Sequence, residues 1–351
     1  MMLNTKRWSV DLEKDLSTYY PQIEQAALLL QQNEVVAFPT ETVYGLGANA
    51  KETEAVMKIY EAKGRPSDNP LIVHIAEVQQ LHEFAQIENE KAKALMDAFW
   101  PGALTIVLPC KLGTLSKQVT AGLSTVGVRM PDHPIALELI RAAGLPIAAP
   151  SANRSGKPSP TLADHVASDL DGRIAGIVDG GSTGIGVEST VVSCVDETPV
   201  ILRPGGITKE ALEEVVGAVS IDPGLTKKDE APVSPGMKYT HYAPEAHMYI
   251  FHGSDEEMQR HIQKYQAEGQ KVGVLTTEEK KSLFTADVVY SCGWREKPET
   301  VAANLYRVLR QFDETDVDLI ISEAFSEQGV GSAIMNRLQK AAGGRTLSSF
   351  K

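Results

Sequence analysis

The chain has 351 residues, 42% hydrophobic and 23% charged, an ordinary composition for a globular protein with enough apolar mass for two domains. Its formal net charge is −12, which argues against extended non-specific nucleic-acid binding, because that needs a basic surface to displace phosphate counterions. Cys110, Cys194 and Cys292 lie far apart with no CxxC pair, so neither a structural zinc site nor a disulfide framework is expected.

The first sixteen residues, MMLNTKRWSVDLEKDL, lack the apolar core of a secretory signal, and no apolar run reaches membrane-spanning length. A cytoplasmic protein without membrane attachment is the expectation. Residues 21–32 read as an amphipathic helix opened by Pro21, and 35–38 as a short buried strand stopped by Pro39. The stretch PTETVYGLG then leads towards a helix over 52–63, a strand over 71–75 and a helical region across much of 77–99. Further strands are predicted at 103–108, 125–129, 146–149, 174–178, 187–193 and 199–202, with helices over 134–143 and 161–170. Several strands follow one another without a helix between them, which predicts a mixed sheet flanked by helices and not a repeating βαβ array.

Residues 222–245 change character, being rich in Pro, Gly and charge, and read as a linker with an aromatic cluster at Tyr239, His241 and Tyr242. Beyond it, strands at 248–251, 271–275, 286–290 and 317–321 alternate with helices near 255–268, 299–312 and 331–342, as in a small Rossmann-like domain.

Four motifs carry chemistry. Lys63-Gly64-Arg65-Pro66 ends a helix and leaves two long cations in a constrained turn. Spacing alone fits a phosphate or carboxylate site as well as a basic helix C-terminus that complements the macrodipole. PSANRSGKPS, from Pro150 to Ser159, follows an apolar strand, where open α/β sheets hold ligands; it reads equally as a polar turn. It is no Walker A loop, since Ser151 and Pro158 stand where Gly and Ser or Thr are required. The Gly-rich run 180–186 leads into a strand and not a helix, so it lacks the helix N-terminus that would bind a dinucleotide's pyrophosphate. Glu41 and Glu188 are candidate acid/base carboxylates whose separation the sequence leaves open, and His74 at a strand end fits a structural role.

Taken together, PTETVYGLG (39–47), KGRPSDNPL (63–71), PSANRSG (150–156), VESTVV (187–192), LRPGG (202–206), SPGMKYTHYAP (234–244) and GSAIMNRLQKAAGGR (331–345) resemble the Sua5/YrdC family in its long, two-domain Sua5 form. That resemblance implies an α/β chain: a YrdC-like catalytic domain over 1–217 with a mixed twisted sheet, a linker or lid over 218–245, and a smaller Rossmann-like domain over 246–351. The implied activity is a nucleotidyl transfer in which L-threonine, bicarbonate and ATP yield threonylcarbamoyl-adenylate, diphosphate and water. A separate tRNA threonylcarbamoyl transferase complex would then use the product to make N6-threonylcarbamoyladenosine at position 37 of certain tRNAs. Mg²⁺ is expected on the ATP phosphates without dedicated protein ligands, and tight tRNA binding is not expected.

By the same resemblance Lys63, Arg65, Ser151 and Asn153 form the catalytic signature. Thr40, His74, Arg129, Ala149 and Ser189 are expected around threonine, with Arg129 on its carboxylate. Lys63, Arg65, Ser67, Thr125, Ser151, Asn153, Ser159, Arg203, Tyr239, His241 and Tyr242 are expected around ATP. Lys63→Ala is expected to stop the chemistry and leave the fold intact. Two rival readings remain at this level. One is an RNA-binding module of the same fold without catalysis. The other is the carbamoyl-adenylate step of hydrogenase maturation, which calls for cysteine pairs that the chain lacks.

Overall fold

The computed structural model describes residues 3–11, 20–225 and 242–348. The chain divides into two units, one of Met1–Ser155, Ser159–Gly184 and Glu188–Lys238, the other of Gly156–Pro158, Ile185–Val187 and Tyr239–Lys351.

The larger unit contains β1 (Lys6–Ser9), β2 (Val36–Phe38), β3 (Gly45–Asn49), β4 (Ile72–His74), β5 (Leu104–Pro109), β6 (Thr125–Arg129), β7 (Ile147–Ala148), β8 (Gly176–Asp179), β9 (Thr190–Ser193), β10 (Val200–Arg203) and β11 (Ser220–Ile221). Among the described residues these form one mixed sheet in the order β1-β8-β2-β3-β7-β4-β6-β5-β9-β10-β11. β4 runs parallel to β6, and β5 to β9, whereas β5 and β6 are antiparallel, as are β9 and β10.

Strand alternation gives the sheet two unlike faces. Leu46, Ala48, Val73, Leu104, Ile106, Val126, Val128, Ala148 and Val192 point to one face and join a single buried cluster with Val56, Ile59, Leu95, Val166 and Leu212 of the covering helices. Each such aliphatic side chain contributes roughly 1.5–3 kcal/mol on burial. On the opposite face Phe38, Ile147 and Ala149 pack with Ile23 and Leu30 of helix Pro21–Gln31 and with Ile135 and Leu139 of helix Pro134–Ala143. Farther along that face the residues change. Register places His74 beside Arg129 and Ile72 beside Gly127, and Thr105 and Ser189 follow across β5 and the start of β9.

The structure departs from sequence expectation in several places, among them β1 and helix Lys117–Thr120, for which the sequence reading has no counterpart. The helical region foreseen over 77–99 breaks into Val78–Gln80, Leu81–Phe84 and Glu90–Phe99, because Ala85 bridges to Cys110 and the Asn89 side chain caps a new helix by accepting from the Lys91 amide. β3 occupies part of the segment that was read only as an approach to the next helix. Helix Lys209–Val216, capped by Thr208, was not foreseen. Ser220 and Ile221, read as the start of the linker, pair with Val200 and Ile201 instead.

In the smaller unit β12 (His247–His252), β13 (Val272–Thr276), β14 (Val288–Ser291), β15 (Leu319–Glu323) and β16 (Thr346–Ser348) form an all-parallel sheet in the order β14-β13-β15-β12-β16. Near-continuous apolar runs in β12, β13 and β15 are what a parallel sheet covered on both faces requires. Short β16 was not anticipated.

The first glycine of LRPGG has a steric reason. A Cβ on Gly205 would sit 2.3 Å from the Glu188 carbonyl oxygen and 2.4 Å from the Thr190 nitrogen. Gly205→Ala should therefore displace the 188–190 backbone and lower stability by about 1–3 kcal/mol in a urea titration. An unchanged midpoint would show that this segment is not fixed by the close approach.

Candidate functional site

Helix Thr53–Lys63 ends where Gly64 adopts the left-handed conformation at φ 62°, accessible to glycine at little cost. Its last residue, Lys63, is 2% exposed, so its ammonium is turned inwards and not to solvent. Nζ donates to the Ser151 carbonyl at 2.5 Å, to the Asn153 carbonyl at 2.7 Å and to Asn153 Oδ1 at 3.3 Å. Ser151 Oγ donates to Asn153 Oδ1 at 2.6 Å, and the Ser155 amide donates back to the Lys63 carbonyl at 2.9 Å. The two sequence motifs are thus one cross-braced unit. Gly45 bridges to Ser151, which anchors the loop to the sheet.

Arg65 is half-buried and donates from Nη2 to the Asn69 and Pro70 carbonyls, both at 3.3 Å. Tyr60 Oη also donates to the Asn69 carbonyl, at 3.0 Å, which fixes the turn between the motif and β4. Burial pushes that phenol up to about 12. Ser67 is exposed in this turn. Buried Asn69, whose side-chain amide has no hydrogen-bond partner among the described residues, is a site candidate that sequence reasoning missed.

A second group centres on Arg129, 4% exposed. Its Nη1 donates to Thr42 Oγ1 at 2.9 Å, its Nε to the Gly102 carbonyl at 3.2 Å, and its Nη2 lies 2.5 Å from Glu41 Oε2. Thr40 Oγ1 donates to the Val43 carbonyl at 2.6 Å and is 2.9 Å from Thr42 Oγ1, so the PTET segment folds into a hydroxyl-braced turn. Glu41 and Thr42 were not predicted as ligand-binding residues, although Glu41 is a candidate acid/base carboxylate from sequence and both lie in the PTETVYGLG motif.

Two imidazoles belong to this region. His74 stands edge-on to Phe38 and in register with Arg129; burial and then the Arg129 charge hold its pKa down at about 3. His133, at the N-terminus of helix Pro134–Ala143, is lowered to about 4 by burial, against the opposing pull of Glu41. Both are neutral at pH 7, and Nδ1 of each is buried without a hydrogen-bond partner among the described residues. Ala149 lies beside Ile72, with its amide bonded to the Ile72 carbonyl at 2.9 Å.

The third group continues across β5, β9 and β10. Ser189 Oγ is 2.7 Å from Thr105 Oγ1, and Arg203 clamps Ser189 through Nη2 to its carbonyl at 2.8 Å and to Oγ at 3.1 Å. Ser159 donates to Glu188 Oε1 at 2.6 Å, and both are buried. Thr125 joins Ile72, Thr105, Val107, Gly127 and Val191 in lining a cleft on this face. The structure therefore brings Lys63, Ser151 and Asn153 into direct contact, and sets Thr40, His74 and Arg129 together. It places Ser189, Arg203 and Thr125 on neighbouring strands. Tyr242 is part of the smaller unit, its ring 5.1 Å from that of Tyr306 and under the Arg337 guanidinium at 5.5 Å. Tyr239 and His241 lie outside the described residues. Among the described residues no three His, Cys, Asp or Glu side chains gather as a metal site, and no helix is long and apolar enough to cross a membrane.

The bracing by Lys63 changes one expectation. Lys63→Ala leaves two buried carbonyls without their donor, so it should cost about 3 kcal/mol of stability in addition to any loss of activity. A melting temperature equal to wild type would contradict that bracing role.

The depressed imidazoles give a pH dependence. The unfolded chain takes up a proton near pH 6.5 that folded His74 refuses down to about 3, so stability must fall as pH drops below about 6.5. The slope should be about 1.4 kcal/mol per pH unit from this residue, and His74→Gln should remove that part of it. Urea titrations between pH 7 and pH 4 measure both.

Two family profiles match the chain. One, described as telomere recombination and termed Sua5_yciO_yrdC, covers residues 28–205. The other, described as the threonylcarbamoyl-AMP synthase C-terminal domain, covers residues 207–343. The chain is 68% identical to the threonylcarbamoyl-AMP synthase of Bacillus subtilis, over 98% of this chain and 100% of that protein. Its fold resembles the crystal structure of P. abyssi Sua5 complexed with L-threonine, with a TM-score of 0.92, 46% identity and coverage of 99% of this chain and 100% of that one. E. coli YciO, at 21% identity and a TM-score of 0.51 over 57% of this chain and 96% of that one, shares the fold of the larger unit.

Proposed function

The chain belongs to the Sua5/YrdC family in its two-domain form, and on that premise we propose that it makes threonylcarbamoyl-AMP from L-threonine, bicarbonate and ATP, releasing diphosphate and water. The observation that carries this reading is the buried array on one sheet face: a guanidinium at Arg129, hydroxyls at Thr40, Thr42, Thr105 and Ser189, and the Lys63-braced Ser151–Asn153 loop.

The chemistry follows from the charges. The threonine amine attacks the bicarbonate carbon, water leaves, and an N-carboxylate oxygen then attacks the α-phosphorus as its bond to diphosphate breaks. Negative charge grows on nucleophile, phosphorus and leaving group together, so catalysis is mainly positioning and cationic stabilisation. Arg129 takes the amino acid's carboxylate, with Thr40, His74, Ala149 and Ser189 around the rest of threonine. The nucleotide lies along Lys63, Arg65, Ser67, Thr125, Ser151, Asn153, Ser159 and Arg203. Lys63 already directs its protons to loop carbonyls, so its main effect is to hold the loop and to supply positive charge through space. Arg65, partly exposed and donating to two turn carbonyls at 3.3 Å, is the cation that turns to a phosphate. Mg²⁺ enters as part of MgATP and neutralises phosphate oxygens. Buried walls keep water from the labile carbamate and mixed anhydride.

On this reading the catalytic domain runs from residue 1 through β11, the linker follows up to residue 245, and 246–351 form an accessory domain. The protein works in the cytoplasm, and its product is consumed by a tRNA threonylcarbamoyl transferase complex.

Incubation with MgATP, L-threonine and ¹³C-bicarbonate should give a labelled threonylcarbamoyl-adenylate by mass spectrometry. Tight tRNA binding without that product would overturn the proposal. Arg65→Ala should reduce product formation by roughly 100-fold or more with an unchanged melting temperature; turnover near wild type would remove Arg65 from the phosphate site.

A further inference from the structure

All three faces of the Arg129 guanidinium are engaged within the chain: Gly102 on Nε, Thr42 on Nη1 and Glu41 on Nη2. Nη2 makes no aligned hydrogen bond among the described residues, so an amino acid's carboxylate seated on it competes directly with Glu41. Gly102 offers a backbone carbonyl and Thr42 a hydroxyl tied into the PTET turn, both fixed by local structure. Glu41 is different. Neither of its carboxylate oxygens accepts an aligned hydrogen bond from any described residue, and both are buried. Its contact with Arg129 is an ion pair of 2.5 Å, and among the described residues its carboxylate has no hydrogen bond and no other ion pair. It is therefore the partner that can be exchanged.

The surroundings set a condition on the exchange. His74, which feels the Arg129 charge, and His133, which feels Glu41, both stay neutral at physiological pH, so Arg129 and Glu41 compensate one another's charge. A carboxylate without an amine would satisfy Arg129 and leave Glu41 buried and unpaired. An amine without a carboxylate would draw Glu41 away and leave Arg129 unpaired. Either residual charge is costly in a site this dry, because an uncompensated buried ion loses its hydration without replacement. A zwitterion alone lets both charges re-pair, its carboxylate on Arg129 and its ammonium on Glu41.

We propose that Glu41 is a specificity residue of the amino-acid subsite: it occupies Arg129 until a zwitterion exchanges with it, and so it rejects amines and carboxylic acids that share the rest of threonine's shape. This inference rests on the functional reading above, which places threonine's carboxylate at Arg129. It adds a residue and a selection rule that the reading did not contain.

Calorimetry on the full chain with a non-hydrolysable ATP analogue present tests it, using L-threonine, threoninol and 3-hydroxybutyrate as probes. In wild type, both truncated ligands should bind at least about 100-fold more weakly than threonine, since each leaves one buried charge unpaired. Threoninol or 3-hydroxybutyrate within about threefold of threonine would overturn the proposal, whatever the variants do. In Glu41→Gln, 3-hydroxybutyrate should gain at least about tenfold over its wild-type affinity, because no carboxylate remains to be stranded. Threoninol should not gain. A Glu41→Gln protein that folds, judged by its melting curve, and shows no gain for 3-hydroxybutyrate would also overturn it. Threonine failing to bind wild type at all would sink the functional reading and this inference with it, whereas threonine binding with no discrimination sinks this inference alone.

Discussion

The larger unit depends on one buried ammonium. Lys63 stands at the end of a helix, 2% exposed, and reaches across to the carbonyls of Ser151 and Asn153. An ion in that position is tolerable only when its protons are all directed at acceptors, and the acceptors here are carbonyls of a loop with no sheet partners of their own beyond the Gly45–Ser151 bridge. The lysine and the loop therefore need one another. Without the loop the ammonium is stranded, and without the ammonium the loop's carbonyls are. The inward turn of Asn153 and the return bond from the Ser155 amide to the Lys63 carbonyl belong to the same exchange. The residue read first as either a phosphate ligand or a helix cap turns out to brace the loop that carries the second motif.

That result shows where the sequence was readable. Gly64 and Pro66 announced the helix end, and Gly64 does take the left-handed turn. Helices Pro21–Gln31, Thr53–Lys63 and Pro134–Ala143 were legible because each combines a helical apolar stripe with a Pro start or a Gly stop. β3 was not legible: Gly45-Leu46-Gly47 contains two residues that weaken strand preference, and it is a strand because Gly47 lets Phe38 and Ile147 close over it at contact distance. The helical region expected across much of 77–99 is present but interrupted at 85–89, where its second part opens on a local cap by Asn89. Its amide also ties down the Cys194 and Asp196 carbonyls, which local sequence cannot reveal.

The site was readable in kind but not in partnership. In TVGVR the alternation already puts Thr125, Gly127 and Arg129 on one face and two valines on the other, and the structure uses that division. Nothing in the spacing, however, could say that Arg129 would be answered by Glu41, or Ser189 by Thr105, because those pairs join segments 84 and 88 residues apart. The same holds for Glu41 and Glu188, considered from sequence as a possible acid/base pair. Each instead has its own partner, Arg129 for the first and Ser159 for the second. Long-range pairing is a property of the sheet order, in which β4, β6, β5 and β9 are neighbours although the chain visits them far apart.

The overall charge argues against extended nucleic-acid binding, and the buried interior of the chain carries the opposite balance. The chain carries −12 in total. Yet among the described residues the buried lysine, arginine, aspartate and glutamate side chains are Lys63, Arg129, Arg203, Arg310 and Arg337 against Asp169, Glu188 and Glu323. Acidic residues are cheap on a solvated surface and keep the protein apart from polyanions, while the cations are placed where desolvation strengthens every interaction they make. Three of those five cations belong to the larger unit and to the motifs around its cleft. The smaller unit handles its buried carboxylate locally, with Glu323 accepting from Thr276 and Thr277 and paired with Arg295. An acidic exterior and a cationic cleft are therefore complementary, since a long polyanion is repelled by the surface while a small anion entering the cleft leaves that repulsion behind and meets guanidinium groups it can neutralise.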